Sequence, residues 1–159
     1  MTTNDKFKII SIPSEVATKA RESQRDVFDN LLAVLRDGER HQCRVCLKLS
    51  QPDEGVILMA HQPFLSRQPY AEVGPVFIHE RSCEPYADIN NYPPEFPRRE
   101  VVLRAYNAED RIVDAQAVRA RQVEEVIAEM FTNSEIAYLH ARNLGYGCYM
   151  FRIERPGSY

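Results

Sequence analysis

Two short spacings carry most of the chemistry this chain offers. Cys43 and Cys46 form a Cys-x2-Cys pair, and His79 and Cys83 form a His-x3-Cys pair. Thiolates at the first spacing can turn inward from one tight loop onto a tetrahedral Zn²⁺, provided two further ligands arrive from elsewhere. His79 and Cys83 are the candidates for that second pair. Fully extended, they would stand roughly 13 Å apart at ~3.3 Å per residue. The chain must therefore bend over Glu80–Ser82, and a helical turn there would put both on one face. A single Cys-x2-Cys leaves two other readings open. Cys83 and Cys148 can be buried small hydrophobes, as free cysteines commonly are. The pair can also be a dithiol redox site, with His41 and Arg44 favouring a thiolate. Redox pairs of the thioredoxin type open a helix, however. Here Pro52 follows closely and Leu47-Lys48-Leu49 alternates like a strand.

A second constellation is basic. Arg104 and Tyr106 fall in one candidate strand, and His140, Arg142, Cys148 and Arg152 fall in two others. Clustered guanidinium groups suit planar anions, because each donates two parallel hydrogen bonds to a carboxylate or phosphate. Arg104, Tyr106, His140 and Arg142 are thus candidate ligand-binding residues for an anionic small molecule. The competing reading is a solvated sheet face, on which Arg104 would be neutralised by Asp114 across the hairpin. Nucleophilic catalysis through Cys148 or Cys83 would need a histidine base in reach, which spacing does not establish. Tyr70, Tyr86 and Tyr92 either line a ligand mouth or pack onto the surrounding prolines. No Walker-type loop, GxGxxG or HExxH occurs, so nucleotide hydrolysis, dinucleotide oxidoreduction and zincin proteolysis are poor readings.

The elements that must position these residues follow from periodicity. Seven of the ten prolines lie between Pro63 and Pro97, which predicts loops and short strands in the middle of the chain. Val27, Phe28, Leu31, Leu32 and Leu35 recur at helical spacing, with Ser23 or Asp26 as N-cap and Gly38 as stop, and predict an amphipathic helix. Ser14 is a candidate cap for an earlier turn over Glu15–Arg21. A second helix is predicted by Val123, Val126, Ile127, Met130 and Phe131. Candidate strands are Phe7–Ile12, Val56–Ala60, Pro75–His79, Val101–Tyr106, Arg111–Ala117, Ile136–Asn143 and Cys148–Ile153.

Two hairpins are expected. A loop at Ala108–Asp110 puts Val101, Leu103 and Ala105 on one face with Val113, Ala115 and Ala117, and sets Arg104 opposite Asp114. A loop at Gly145–Gly147 gathers Ala137, Leu139 and Ala141 with Tyr149, Phe151 and Ile153, leaving His140, Arg142, Cys148 and Arg152 on the other face.

Four segments taken together resemble a known family. They are Cys43-Arg44-Val45-Cys46-Leu47; Tyr70 with Gly74-Pro75-Val76-Phe77-Ile78-His79 and Cys83; Leu103-Arg104-Ala105-Tyr106; and His140-Ala141-Arg142 with Gly147-Cys148. In this order they resemble the bacterial domain-of-unknown-function 1203 family, from about Cys43 to the C-terminus. The resemblance implies a small, stand-alone bacterial protein and brings no activity, ligand or catalytic residue with it.

At 159 residues the chain is about one domain long. We therefore expect a single domain over 1–159. Its fold class is α+β, an antiparallel hairpin-rich sheet with two main helices packed on one face and a Pro-rich loop region. The net charge of -3 removes the positive field that nucleic-acid coating requires, so no nucleic-acid partner is expected. The longest aliphatic run, Val56–Ala60, is far short of the ~20 residues that span a bilayer. With no apolar leader after Met1, the sequence reads as cytoplasmic, where four cysteines serve as thiols, metal ligands or redox groups. Three function classes remain. The first is a ligand- or metal-binding domain using Cys43, Cys46, His79 and Cys83, with zinc as the candidate cofactor. The second is a small enzyme acting on an anion at the basic face. The third is a protein–protein interaction module, which would present an exposed apolar patch.

Overall fold

Val101, Leu103 and Ala105 are fully buried while the intervening Val102 and Arg104 are only partly so, and burying that apolar stripe organises the larger part of the molecule. The computed structural model describes residues 6–157. In chain order the elements are β1 (Lys8–Ile10), α1 (Ser14–Ser23), β2 (Val34–Leu35), β3 (Val56–His61), β4 (Gly74–His79), β5 (Val101–Tyr106), β6 (Ile112–Val118), α2 (Val123–Met130), β7 (Tyr138–Asn143) and β8 (Tyr149–Glu154). The strands pair antiparallel into a five-stranded sheet, β1-β8-β7-β5-β6, and a three-stranded sheet, β2-β3-β4. The fold is α+β, mostly antiparallel sheet with two helices. Among the described residues no helix is long and apolar enough to cross a membrane.

The main core lies on one face of the larger sheet. Leu103, Leu139, Ala141, Phe151 and Ile153 meet Val123, Val126, Ile127 and Met130 of α2, with Tyr92 and Phe96 from the chain between β4 and β5. Burying each of the larger side chains is worth about 1.5–3 kcal/mol, so the predicted stripe of α2 is what fixes it. A second core joins the two sheets. It holds Ala17 and Ala20 of α1, Cys43, Val45 and Cys46, and Ile57, Met59, Val76, Ile78 and Tyr149. The two helices therefore serve different cores and do not share one face, as the sequence reading had them. Residues 80–100 contain no helix or strand.

Three expectations need correction. No helix forms over 27–35. Asp26 does not cap one, because its Oδ1 accepts the backbone N–H groups of both Phe28 and Asn30, and its Oδ2 accepts the N–H of Ala60 in β3. A short acceptor side chain that captures nearby amides offers the backbone an alternative to helix. Asp29 then turns through φ 64°, and Val27 and Leu31 are left 76% and 72% exposed. The helix instead occupies Ser14–Ser23, where only a turn was expected. Its buried stripe consists of Ala17 and Ala20, too small to mark the periodicity strongly.

The β5–β6 register is one residue off the expected one. Arg104 stands opposite Ala115, and Asp114 opposite Ala105. A shift between Ala105 and Tyr106 leaves Val113 as an extra residue on β6, and such a bulge changes which side chains share a face.

The β7–β8 register agrees over its outer part, with Leu139 opposite Ile153 and His140 opposite Arg152. A second shift at Ala141/Arg142 makes Met150 the extra residue. Met150 enters the main core and Tyr149 moves to the opposite core, away from Phe151.

Candidate metal centre

The Cys43–Cys46 segment forms a knuckle held by its own backbone. Leu47 N–H donates to Cys43 O and Cys43 N–H to Lys48 O, each at 3.0 Å. Leu47 takes φ 55°, a left-handed conformation unfavourable for a branched residue, and its side chain is buried in the main core. The knuckle is tied to its surroundings on several sides. Arg44 N–H donates to Phe77 O in β4, Ile12 N–H to Arg44 O, and Tyr86 N–H to Val45 O. The buried Arg44 side chain donates through Nε to Tyr149 O at 2.7 Å and also to Gln42 O. Burial pulls its guanidinium down to about 10, which leaves it cationic at neutral pH.

His79 ends β4, and the chain then bends at Glu80 and Arg81 without forming a helix. That bend returns Cys83 to the knuckle. The donor atoms of Cys43, Cys46, His79 and Cys83 all lie within 4.8 Å of one another, a group that could hold a metal ion. Cys43 Sγ and Cys83 Sγ are 3.7 Å apart, and Cys46 Sγ is 3.5 Å from His79 Nδ1. Tetrahedral zinc with Zn–S of ~2.3 Å and Zn–N of ~2.0–2.1 Å requires separations of about 3.8 Å and 3.6 Å. The thiols are free, at nearly twice the ~2.05 Å length of a disulfide bond.

The other imidazole nitrogen is engaged too. His79 Nε2 lies 2.7 Å from Glu54 Oε2, so the carboxylate orients the ring and fixes Nδ1 toward the sulfurs. Beside this pair Glu80 N–H donates to Gly55 O at 3.0 Å, which ties the bend after β4 to the segment carrying Glu54. Hydrogen bonding within the cluster, from Cys46 first, holds the Cys43 thiol far below its ordinary range, and the same contact pushes Cys46 up. Hydrogen bonds to Cys43 and Cys83 raise His79 to about 10. A cleft of about 440 Å³ opens beside Cys46, His79 and Cys83. His41, offered as a thiolate stabiliser, stacks on Phe77 and pairs with Asp37.

The basic residues also come together, because β5 and β7 are neighbours and Arg104 stands opposite His140. Their surroundings differ from a solvated face. His140 is fully buried among the rings of Phe64, Tyr106, Tyr138 and Tyr149, at centroid distances of 4.9, 4.9, 5.2 and 5.0 Å. Burial, followed by Arg152, Arg142 and Arg104, pushes it down to about 2, so the ring is neutral. The acid facing Arg104 is not Asp114 but Glu72, from the loop between β3 and β4. Its Oε1 lies 2.8 Å from Arg104 Nη1 and its Oε2 3.3 Å from Arg142 Nη2. Arg152 pairs with Glu154 and covers the Tyr138 ring. Cys148 is half-buried and outside the Cys/His group. The three tyrosines form no common mouth: Tyr92 sits in the main core, Tyr86 packs against it, and Tyr70 is exposed. Glu54 and Glu72 escaped the sequence reading. Each is a loop acid whose partner is remote in the chain, with no local pattern to mark it.

Fold and site together define a mostly antiparallel α+β protein with a Cys3His group able to hold a metal ion. The family described as protein of unknown function (DUF1203) matches residues 40–155, and the chain belongs to that family. All four Cys/His residues fall inside the matched span. Comparison with curated proteins and with solved structures found no match.

Proposed function

We propose that this protein is a zinc-binding domain in which Cys43, Cys46, His79 and Cys83 hold one structural Zn²⁺. The observation that carries the reading is the convergence of three sulfurs and one imidazole nitrogen within 4.8 Å of one another, with the Cys43–Cys83 and Cys46–His79 separations at 3.7 and 3.5 Å, backed by the carboxylate on the far side of the same imidazole. Three soft sulfur donors and one nitrogen select zinc over hard cations such as Mg²⁺ and Ca²⁺. Four protein ligands leave no open position for water or substrate, which distinguishes a structural centre from a hydrolytic one. The metal would fasten the knuckle, whose Leu47 lies in the main core, to the end of β4 in the smaller sheet. It would thereby join both sheets into one folding unit. Thiolates reserved for a metal suit a reducing compartment such as the cytoplasm.

Elemental analysis of the purified full chain tests the proposal. About one zinc per chain is expected, with loss of the metal in Cys83→Ser. A folded, metal-free wild type that takes up no added zinc would overturn it.

A further inference from the structure

Among the described residues, five of the six buried side-chain polar atoms that lack a hydrogen-bond partner lie around one loop, the sixth being Nη2 of Arg21. They include both nitrogens of His140 and Nε of Arg142, on the sheet face that the loop between β3 and β4 covers, and Nε2 of Gln68 on the loop itself. Leaving a buried polar group unsatisfied is costly, so such a concentration calls for a reason. The loop supplies two contacts over this face. Phe64 lies against His140 and Tyr106, and the Glu72 carboxylate bridges Arg104 and Arg142. Ser66 Oγ adds a hydrogen bond to Asp110 Oδ2 at 2.6 Å.

We propose that Arg104 and Arg142 form a binding site for a small oxyanion, a phosphate or a carboxylate, and that Glu72 is its built-in competitor. Two guanidinium groups converging on one carboxylate match the planar, multi-oxygen recognition that arginine provides. The hydrogen bond from Arg104 holds the Glu72 carboxyl below its usual range, so its ionised oxygens stand where those of a ligand would stand. Glu72 is also removable. Its side chain is 49% exposed, whereas that of Arg142 is 9% exposed and remains in place. A cavity of about 200 Å³ runs beside Glu72, Arg142, His61 and Tyr149. At ~30 Å³ per liquid water, it has room for a small oxyanion and part of its hydration. The site is independent of the zinc proposal, since it shares no residue with the Cys/His group.

The test titrates the full chain with inorganic phosphate and, separately, with succinate, at constant ionic strength and with chloride as control. Calorimetry compares the wild type, Glu72→Gln, and Glu72→Gln combined with Arg104→Gln. If Glu72 occupies the arginines about nine-tenths of the time, removing its charge tightens binding about tenfold. The double variant should lose that gain. Whichever anion responds identifies the ligand class. Equal, chloride-like responses of wild type and Glu72→Gln to both anions would overturn the proposal and leave the arginines as a structural clamp. Should Glu72→Gln fail to fold, the wild-type Arg142 Nε–H resonance decides. A saturable shift with either anion supports the site, and no shift overturns it.

Discussion

Glu54→Gln removes the charge behind His79 while keeping the size of the side chain, and so isolates what the carboxylate does for the metal. Glu54 Oε2 and His79 Nε2 are 2.7 Å apart, with the acid 41% exposed and the imidazole 13% exposed. Loss of such an outer partner typically weakens a metal site 10–100-fold. Solvent already screens Glu54, which places this pair at the low end, about tenfold or about 1.4 kcal/mol. For a chain of this length that free energy lowers the melting temperature of the zinc-loaded protein by roughly 3–6 °C. Competition against a chromophoric chelator gives the affinity, and calorimetric melts with and without chelator give the stability. The metal-free forms of wild type and variant should melt alike, because an exposed isosteric change contributes within about 0.5 kcal/mol. Equal zinc affinity in both proteins would refute the argument. So would a metal-free variant destabilised as much as the loaded one, which would make the Glu54–His79 pair a fold contact only.

Acid titration probes the buried imidazole. His140 is neutral and pushed down to about 2 in the fold, faced by Arg104, Arg142, Arg152 and His61. Unfolded, it takes up a proton below its ordinary pKa of ~6.5. Between these values the unfolded chain binds more protons, so stability falls as pH falls, by on the order of 2 kcal/mol at pH 5 from this group. Urea unfolding of His140→Phe at pH 7 and pH 5 should show a smaller acid loss by that amount, and an unchanged loss would contradict the assignment. Leu31→Ser should change stability by no more than about 0.5 kcal/mol, since Leu31 is 72% exposed. A loss above ~2 kcal/mol would mean that this residue is packed in a core after all.

The candidate ligand set was legible because cysteine and histidine at 43, 46, 79 and 83 declare their chemistry by type. Their convergence was not, because it depends on Gly55, Phe77 and Tyr86, whose contributions are long-range backbone contacts. Strand positions other than that of β2 followed from apolar runs and alternation. The expected registers held on one side of Val113 and of Met150 and failed beyond them, because one inserted residue leaves composition and periodicity almost unchanged. The 27–35 segment misled for a related reason. Its leucines and valines keep helical spacing, yet the Asp26 carboxylate captures the amides a helix would need and joins them to β3. For Arg104 and Arg142 the types were informative and the partner was hidden, as nothing near Glu72 in sequence marks it as the acid between them.

Zinc-edge X-ray absorption on the purified full chain reads the coordination of the metal itself. Three sulfurs at about 2.3 Å and one nitrogen at about 2.0–2.1 Å are expected, with no water oxygen bound. A spectrum fitted by oxygen and nitrogen alone, or by fewer than three sulfurs in the wild type, would contradict the proposed centre.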